Sequence, residues 1–152
     1  MANFHQGRFK PRNPEKYQGD VENIVYRSSW ELKAMNWFDQ NPSILKWASE
    51  ELIIPYISPV DQRQHRYFPD FIMQYKTSGG DVKTALIEVK PSVQCAMPKV
   101  PKKQTRRYLN EVMTYSVNQA KWAAASAWAQ RKGWTFHVLT EYELGISKRP
   151  TK

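Results

Sequence analysis

One cysteine, Cys95, stands in 152 residues, which excludes an internal disulfide and any zinc site built on several thiolates. No stretch approaches the roughly 20 consecutive apolar residues of a membrane helix. The opening MANFHQGRFKPRNPEK has no apolar core of the kind that marks a signal peptide. A soluble, unsecreted protein is expected, with no membrane partner. Histidine is scarce: His5, His65 and His137 show no pair at metal-ligand spacing. Neither Ser28 nor Ser29 has a histidine at a suggestive distance, so a serine hydrolase finds no support. Acidic residues are also few, 14 against 23 Lys and Arg, which leaves a net charge of +9.

Apolar residues make up 41% of the chain and aromatics 13%, enough to build the core of one moderate domain. The cationic excess suits a polyanion, because each phosphate neutralised releases counterions. Nucleic acid is the first candidate and an anionic membrane surface the second.

Residues 1–20 hold Arg8, Lys10, Arg12 and Lys16 among prolines and glycines and read as a basic arm. SSWELKAMNWFDQNP starts at Ser28, stops before Pro42 and spaces Trp30, Ala34, Trp37 and Phe38 as a helix does. ILKWASEELIIPYIS supplies two short strands, which Pro55 and Pro59 confine to edges or ends. HRYFPDFIMQY and DVKTALIEVK follow as longer strands joined by TSGGD, the chemistry of an antiparallel hairpin. Three prolines between 91 and 101 mark a loop. The segment 104–133 is helical, with a break expected near Ser116–Asn118, a Trp122, Ala125 and Ala129 stripe facing the sheet, and Gly133 as C-terminal cap. WTFHVLTEYE closes as a strand before a basic tail over 148–152. The order predicts a mixed α/β domain over 21–147.

Alternation along DVKTALIEVK puts Thr84, Leu86, Glu88 and Lys90 on one face. An antiparallel partner can bring Asp70 opposite them. Two carboxylates from neighbouring strands repel unless a cation lies between them, and a hard divalent ion such as Mg²⁺ takes oxygen ligands. The same residues also suit a half-solvated sheet in which Lys90 is an ordinary ion-pair partner. The apolar neighbours Phe68, Phe71, Ile72, Leu86, Ile87 and Val89 weigh toward the site. Glu31 admits two readings as well, since Ser28-x-x-Glu31 is also a capping box. Lys99, Lys102, Lys103, Arg106 and Arg107 crowd into nine residues after the Lys90 strand. With Arg8, Lys10 and Arg12 they suit contacts to a phosphate backbone, which carry little sequence preference.

Pro69-Asp70 followed by Glu88-Val89-Lys90 resembles the PD-(D/E)xK nuclease superfamily. Arg27-Ser28-Ser29-Trp30-Glu31 resembles the helix start of phage junction-resolving and TnsA-type endonucleases. Lys121-Trp122 through Gly133 to Glu141 resembles the helix and final strand of the TnsA-like group. Across its whole length the chain is most similar to the head completion nucleases of T-even bacteriophages. That resemblance implies a restriction-endonuclease-like core, a mixed sheet flanked by helices. It implies Asp70, Glu88 and the Val89 carbonyl oxygen as ligands of Mg²⁺, or of Mn²⁺ in its place. Lys90 would be the catalytic lysine, and Glu31 a further acidic residue at or near the metal. Gln119 falls where some relatives carry a supporting glutamine, but an exposed helical residue fits it better. The implied activity is endonucleolytic cleavage of DNA after packaging, with capsid, portal or neck proteins as partners, in the host cytoplasm or the virion. Two alternatives stay open: a non-catalytic basic protein that plugs the capsid, and a branched-DNA resolvase.

Overall fold

The computed structural model describes residues 6–150. Residues 1–5 of the expected arm, His5 among them, and residues 151–152 of the tail lie outside the described residues. Among those described, no helix is long and apolar enough to cross a membrane.

The central sheet has four strands: β3 (Ile44–Ser49), β6 (Phe71–Lys76), β7 (Val82–Val89) and β8 (Thr135–Leu139), in the order β3-β6-β7-β8. The first two junctions are antiparallel and β7–β8 is parallel, so the sheet is mixed, as expected. Two short ribbons flank it: β1 (Gly7–Arg8) with β2 (Val25–Tyr26), and β4 (Ile54–Ile57) with β5 (Gln64–Tyr67).

Helix α1 (Ser29–Gln40) starts at Ser28, whose Oγ accepts the Glu31 amide at 3.1 Å. It buries Ala34, Met35 and Phe38 against Trp47, Phe71, Ala85 and Ile87, one face of the sheet. Phe38 meets Phe71 edge-on with ring centres 5.0 Å apart. Trp37, expected on the apolar stripe, instead points outward at 47% exposure, and Met35 takes its place in the core.

Helix α2 (Arg106–Arg131) covers the other face, with Trp122, Ala125 and Ala129 packed against Leu86, Ile54, Tyr56 and Tyr67. The expected stripe is thus the packed one. The break expected near Ser116–Asn118 is absent: α2 runs unbroken through them, and Asn118 is its first buried residue. Its opening three turns therefore project past the core. Gly133 ends the helix at φ +74°, a left-handed conformation that costs glycine least. The TSGGD hairpin closes through the Thr77 amide on the Asp81 carbonyl at 2.8 Å, with Gly80 at φ +90°.

Two further expectations change. HRYFPDFIMQY is not one strand: β5 pairs only with β4, the chain bends at Phe68–Asp70, and β6 joins the central sheet. Pro69 has no N–H to give a ladder, which places the interruption there. The basic segment before residue 21 lies against the domain over its described part, residues 6–20. Phe9 and Tyr17 are buried around Trp47, with ring centres 5.8 and 4.7 Å from it. The Arg12 and Asn13 amides donate to the buried Asp39 carboxylate. The Lys16 ammonium donates to the carbonyls of Phe38, Asp39 and Asn41, at the α1 C-terminus, where carbonyls run out of partners within the helix.

Candidate active site

The paired positions of β6 and β7 end at Phe71 opposite Ile87. One step further sets Asp70 opposite Glu88. Alternation along β7 sets Glu88 on the sheet face of Leu86, beneath α2, and its charge bears on Asp70 in the bend before β6. The strand break at Pro69 frees Asp70 from the ladder, and its Oδ2 accepts the Val89 amide at 2.8 Å. Its own carbonyl accepts the Glu50 amide at 3.1 Å, with Glu50 held at φ +55°. Glu88 is 7% exposed. Its Oε1 accepts the Tyr67 hydroxyl at 2.7 Å, and its Oε2 lies 3.7 Å from the Lys90 ammonium. Each acid thus ties one oxygen to the scaffold, and Asp70 Oδ1 has no hydrogen-bond partner among the described residues.

Burial raises both acids. Asp70 is held well above the ordinary carboxylate range, first by desolvation and then by the Glu88 charge, with the Val89 amide and Lys90 opposing. Glu88 is raised by desolvation, against the Tyr67 hydroxyl and the charges of Lys90 and Lys121. Such a pair is costly when ionised and becomes favourable when a cation is placed between the acids. No group of three or more His, Cys, Asp or Glu side chains comes together to hold a metal ion among the described residues. Two carboxylates with free oxygens nonetheless fit Mg²⁺, which binds through one or two carboxylates and keeps several waters.

Glu31 enters from α1, on the opposite side of the sheet, and its charge bears on Asp70. The side chain also ties down the helix start in a variant of the capping box: it accepts the amide of Arg27, the residue before the N-cap, at 3.3 Å and lies 3.5 Å from Ser28 Oγ. Burial raises its carboxyl, and the Glu50 charge adds to the rise. Arg27 pairs with Glu50 at the same edge.

The structure brings Asp70, Glu88, Val89 and Lys90 together, with Glu31 at the margin. Lys99, Lys102, Lys103, Arg106 and Arg107 are all exposed along the loop and the projecting start of α2, where Arg107 pairs with Glu111 at 3.1 Å. Arg8, Lys10 and Arg12 are exposed as well, on the segment packed beside α1. Gln119 is exposed, and His65 pairs with Asp61 at 2.8 Å, away from any metal cluster. Sequence reasoning passed over Tyr67 and Glu50, and it gave Arg27 and Lys121 no role beyond the motifs that contain them. Tyr67 carried one signal: it stands three residues before Asp70, on a strand whose alternate positions are polar.

The model of the TnsA-like endonuclease N-terminal domain matches residues 41–141. The chain belongs to the TnsA-like endonuclease family. The matched span contains Asp70, Glu88 and Lys90 and begins after Arg27 and Glu31. A relative, the head completion nuclease of Enterobacteria phage T4, is 40% identical over 141 residues, which cover 90% of this chain and 91% of that protein. The TnsA-like domain is restriction-endonuclease-like, and the mixed sheet between α1 and α2 is such a core.

Proposed function

We propose that this TnsA-like chain is a metal-dependent DNA endonuclease that acts in phage head completion after packaging. The observation that carries the reading is Glu88, buried at the end of β7 with Lys90 3.7 Å away, beside Asp70, whose Oδ2 accepts the amide of the next residue, Val89. Two acids held this close raise each other's cost of ionisation, a cost that a cation at a hydrolytic site turns to use. The 40% identity to a phage head completion nuclease supports the setting.

Asp70 and Glu88 would hold Mg²⁺, or Mn²⁺ in its place, with the Val89 carbonyl completing the protein's ligands and Glu31 adding charge from the margin. When bound, the ion offsets the carboxylates and acidifies a water for attack on phosphorus. Lys90, beside Glu88, would orient that water and offset charge growing on the phosphate. Lys99, Lys102, Lys103, Arg106 and Arg107 would grip the backbone on one side, and Arg8, Lys10 and Arg12 would add contacts from the packed segment. Capsid, portal or neck proteins would bring the enzyme to the DNA end.

A nicking assay with Mg²⁺ on linear duplex and four-way junctions tests this. Wild type should cut. Glu88→Gln and Lys90→Ala should lose roughly 10²–10³-fold, the scale of removing one charge-stabilising group. Equal cutting by all three sinks the assignment. DNA binding with no cutting under any divalent ion would leave a DNA-holding structural protein.

A further inference from the structure

The Tyr67 hydroxyl donates to Glu88 Oε1 at 2.7 Å inside the core, with Tyr67 itself 4% exposed. Tyr67 ends β5, the ribbon strand that leads into Pro69-Asp70, so one short segment supplies both a first acid and a clamp on the second. The Lys121 ammonium from α2 lies 5.7 Å from the Tyr67 ring centre and 5.9 Å from that of Tyr56, which braces the ring from the helix side. Glu88 therefore has one oxygen committed to the scaffold, while the other faces Lys90.

That arrangement decides how the carboxylate can meet an ion. Mg²⁺ demands near-octahedral geometry, keeps its waters and accepts single carboxylate oxygens. Ca²⁺ takes six to eight oxygens in a more flexible shell and readily takes two from one carboxylate. The geometry points to Tyr67 as a positioning residue that sets metal selectivity: by occupying Oε1 it holds Glu88 to a one-oxygen grip and so favours Mg²⁺ over Ca²⁺. This rests on the reading that Asp70 and Glu88 bind a divalent cation. Groups that orient a metal's ligands change its affinity by roughly 10–100-fold.

The test uses the full chain without DNA. Mn²⁺ binding is followed by the electron paramagnetic resonance of the free ion, and Mg²⁺ and Ca²⁺ are titrated as competitors. Wild type should bind Mg²⁺ at least as tightly as Ca²⁺. Tyr67→Phe, which keeps the ring, should shift the Ca²⁺ to Mg²⁺ affinity ratio toward Ca²⁺ by roughly tenfold or more. An unchanged ratio in folded Tyr67→Phe overturns the inference. So does a wild type that prefers Ca²⁺ tenfold, which needs no variant to fold. Should wild type bind no Mn²⁺, or Glu88→Gln bind it equally, the metal reading itself fails and takes this inference with it.

Discussion

Asp70 Oδ2 accepts the Val89 amide at 2.8 Å, so the acid that precedes β6 is pinned to the strand that bears Glu88 and Lys90. A carboxylate held this way cannot swing to solvent to relieve its burial. Its pKa and that of Glu88 both lie above their unfolded values. The folded state then binds protons more tightly than the unfolded one. The stability the pair contributes is fully present below the unfolded carboxylate range, about pH 4, and is lost as pH rises through the folded values. Melting in EDTA should show Tm falling over that window. Asp70→Asn should flatten the slope and raise Tm at neutral pH, and a lower Tm there would show that the charge is no burden.

Ser28 and Glu31 can be separated by substitution. Ser28→Ala removes the oxygen that accepts the Glu31 amide and should cost about 1 kcal/mol in urea unfolding, with little change in cutting. Glu31→Gln keeps a capping-box side chain and should leave stability near wild type. If the Glu31 charge serves the site, cutting falls all the same. Activity equal to wild type would reduce Glu31 to a helix cap.

Lys16 closes the other end of α1 with three hydrogen bonds of 2.7–2.9 Å. Lys16→Met should lower unfolding stability by about 1–3 kcal/mol, because carbonyls lose a charged donor. Cutting by the folded fraction should not change. A loss below about 0.5 kcal/mol would mean that water replaces the ammonium freely.

The basic loop predicts a salt signature. Duplex affinity in EDTA, measured between 50 and 200 mM salt, should fall steeply, and Lys102→Ala with Lys103→Ala should reduce the log–log slope by roughly 2. A slope unchanged by the double variant would remove these two lysines from the interface.

The local part of this architecture was legible from residue order. Alternation along β7 placed Leu86 and Glu88 on one face, and spacing along α2 placed Trp122, Ala125 and Ala129 on another, because both periods are properties of the backbone. The helix start at Ser28 and the Gly133 cap followed from side-chain chemistry at single positions. The division of residues 64–76 between two sheets was not legible, since β4 competes for β5 through contacts that no local pattern records. Nor was the packing of Phe9 and Tyr17, two aromatics set in a proline-rich cationic stretch. Tyr67 and Glu88 meet across 21 positions, and Lys121 joins them from a different element. Such a support is invisible until the chain is folded.

Because Phe9 and Tyr17 wedge against Trp47, the front of the polypeptide cannot be treated as a detachable handle. Shortening it to probe nucleic-acid contacts would confound grip with collapse, as each missing aromatic opens a hole costing about 3–5 kcal/mol. Charge-reversal at Arg8 and Lys10, with the neighbouring rings untouched, is the experimental route that keeps the two effects apart.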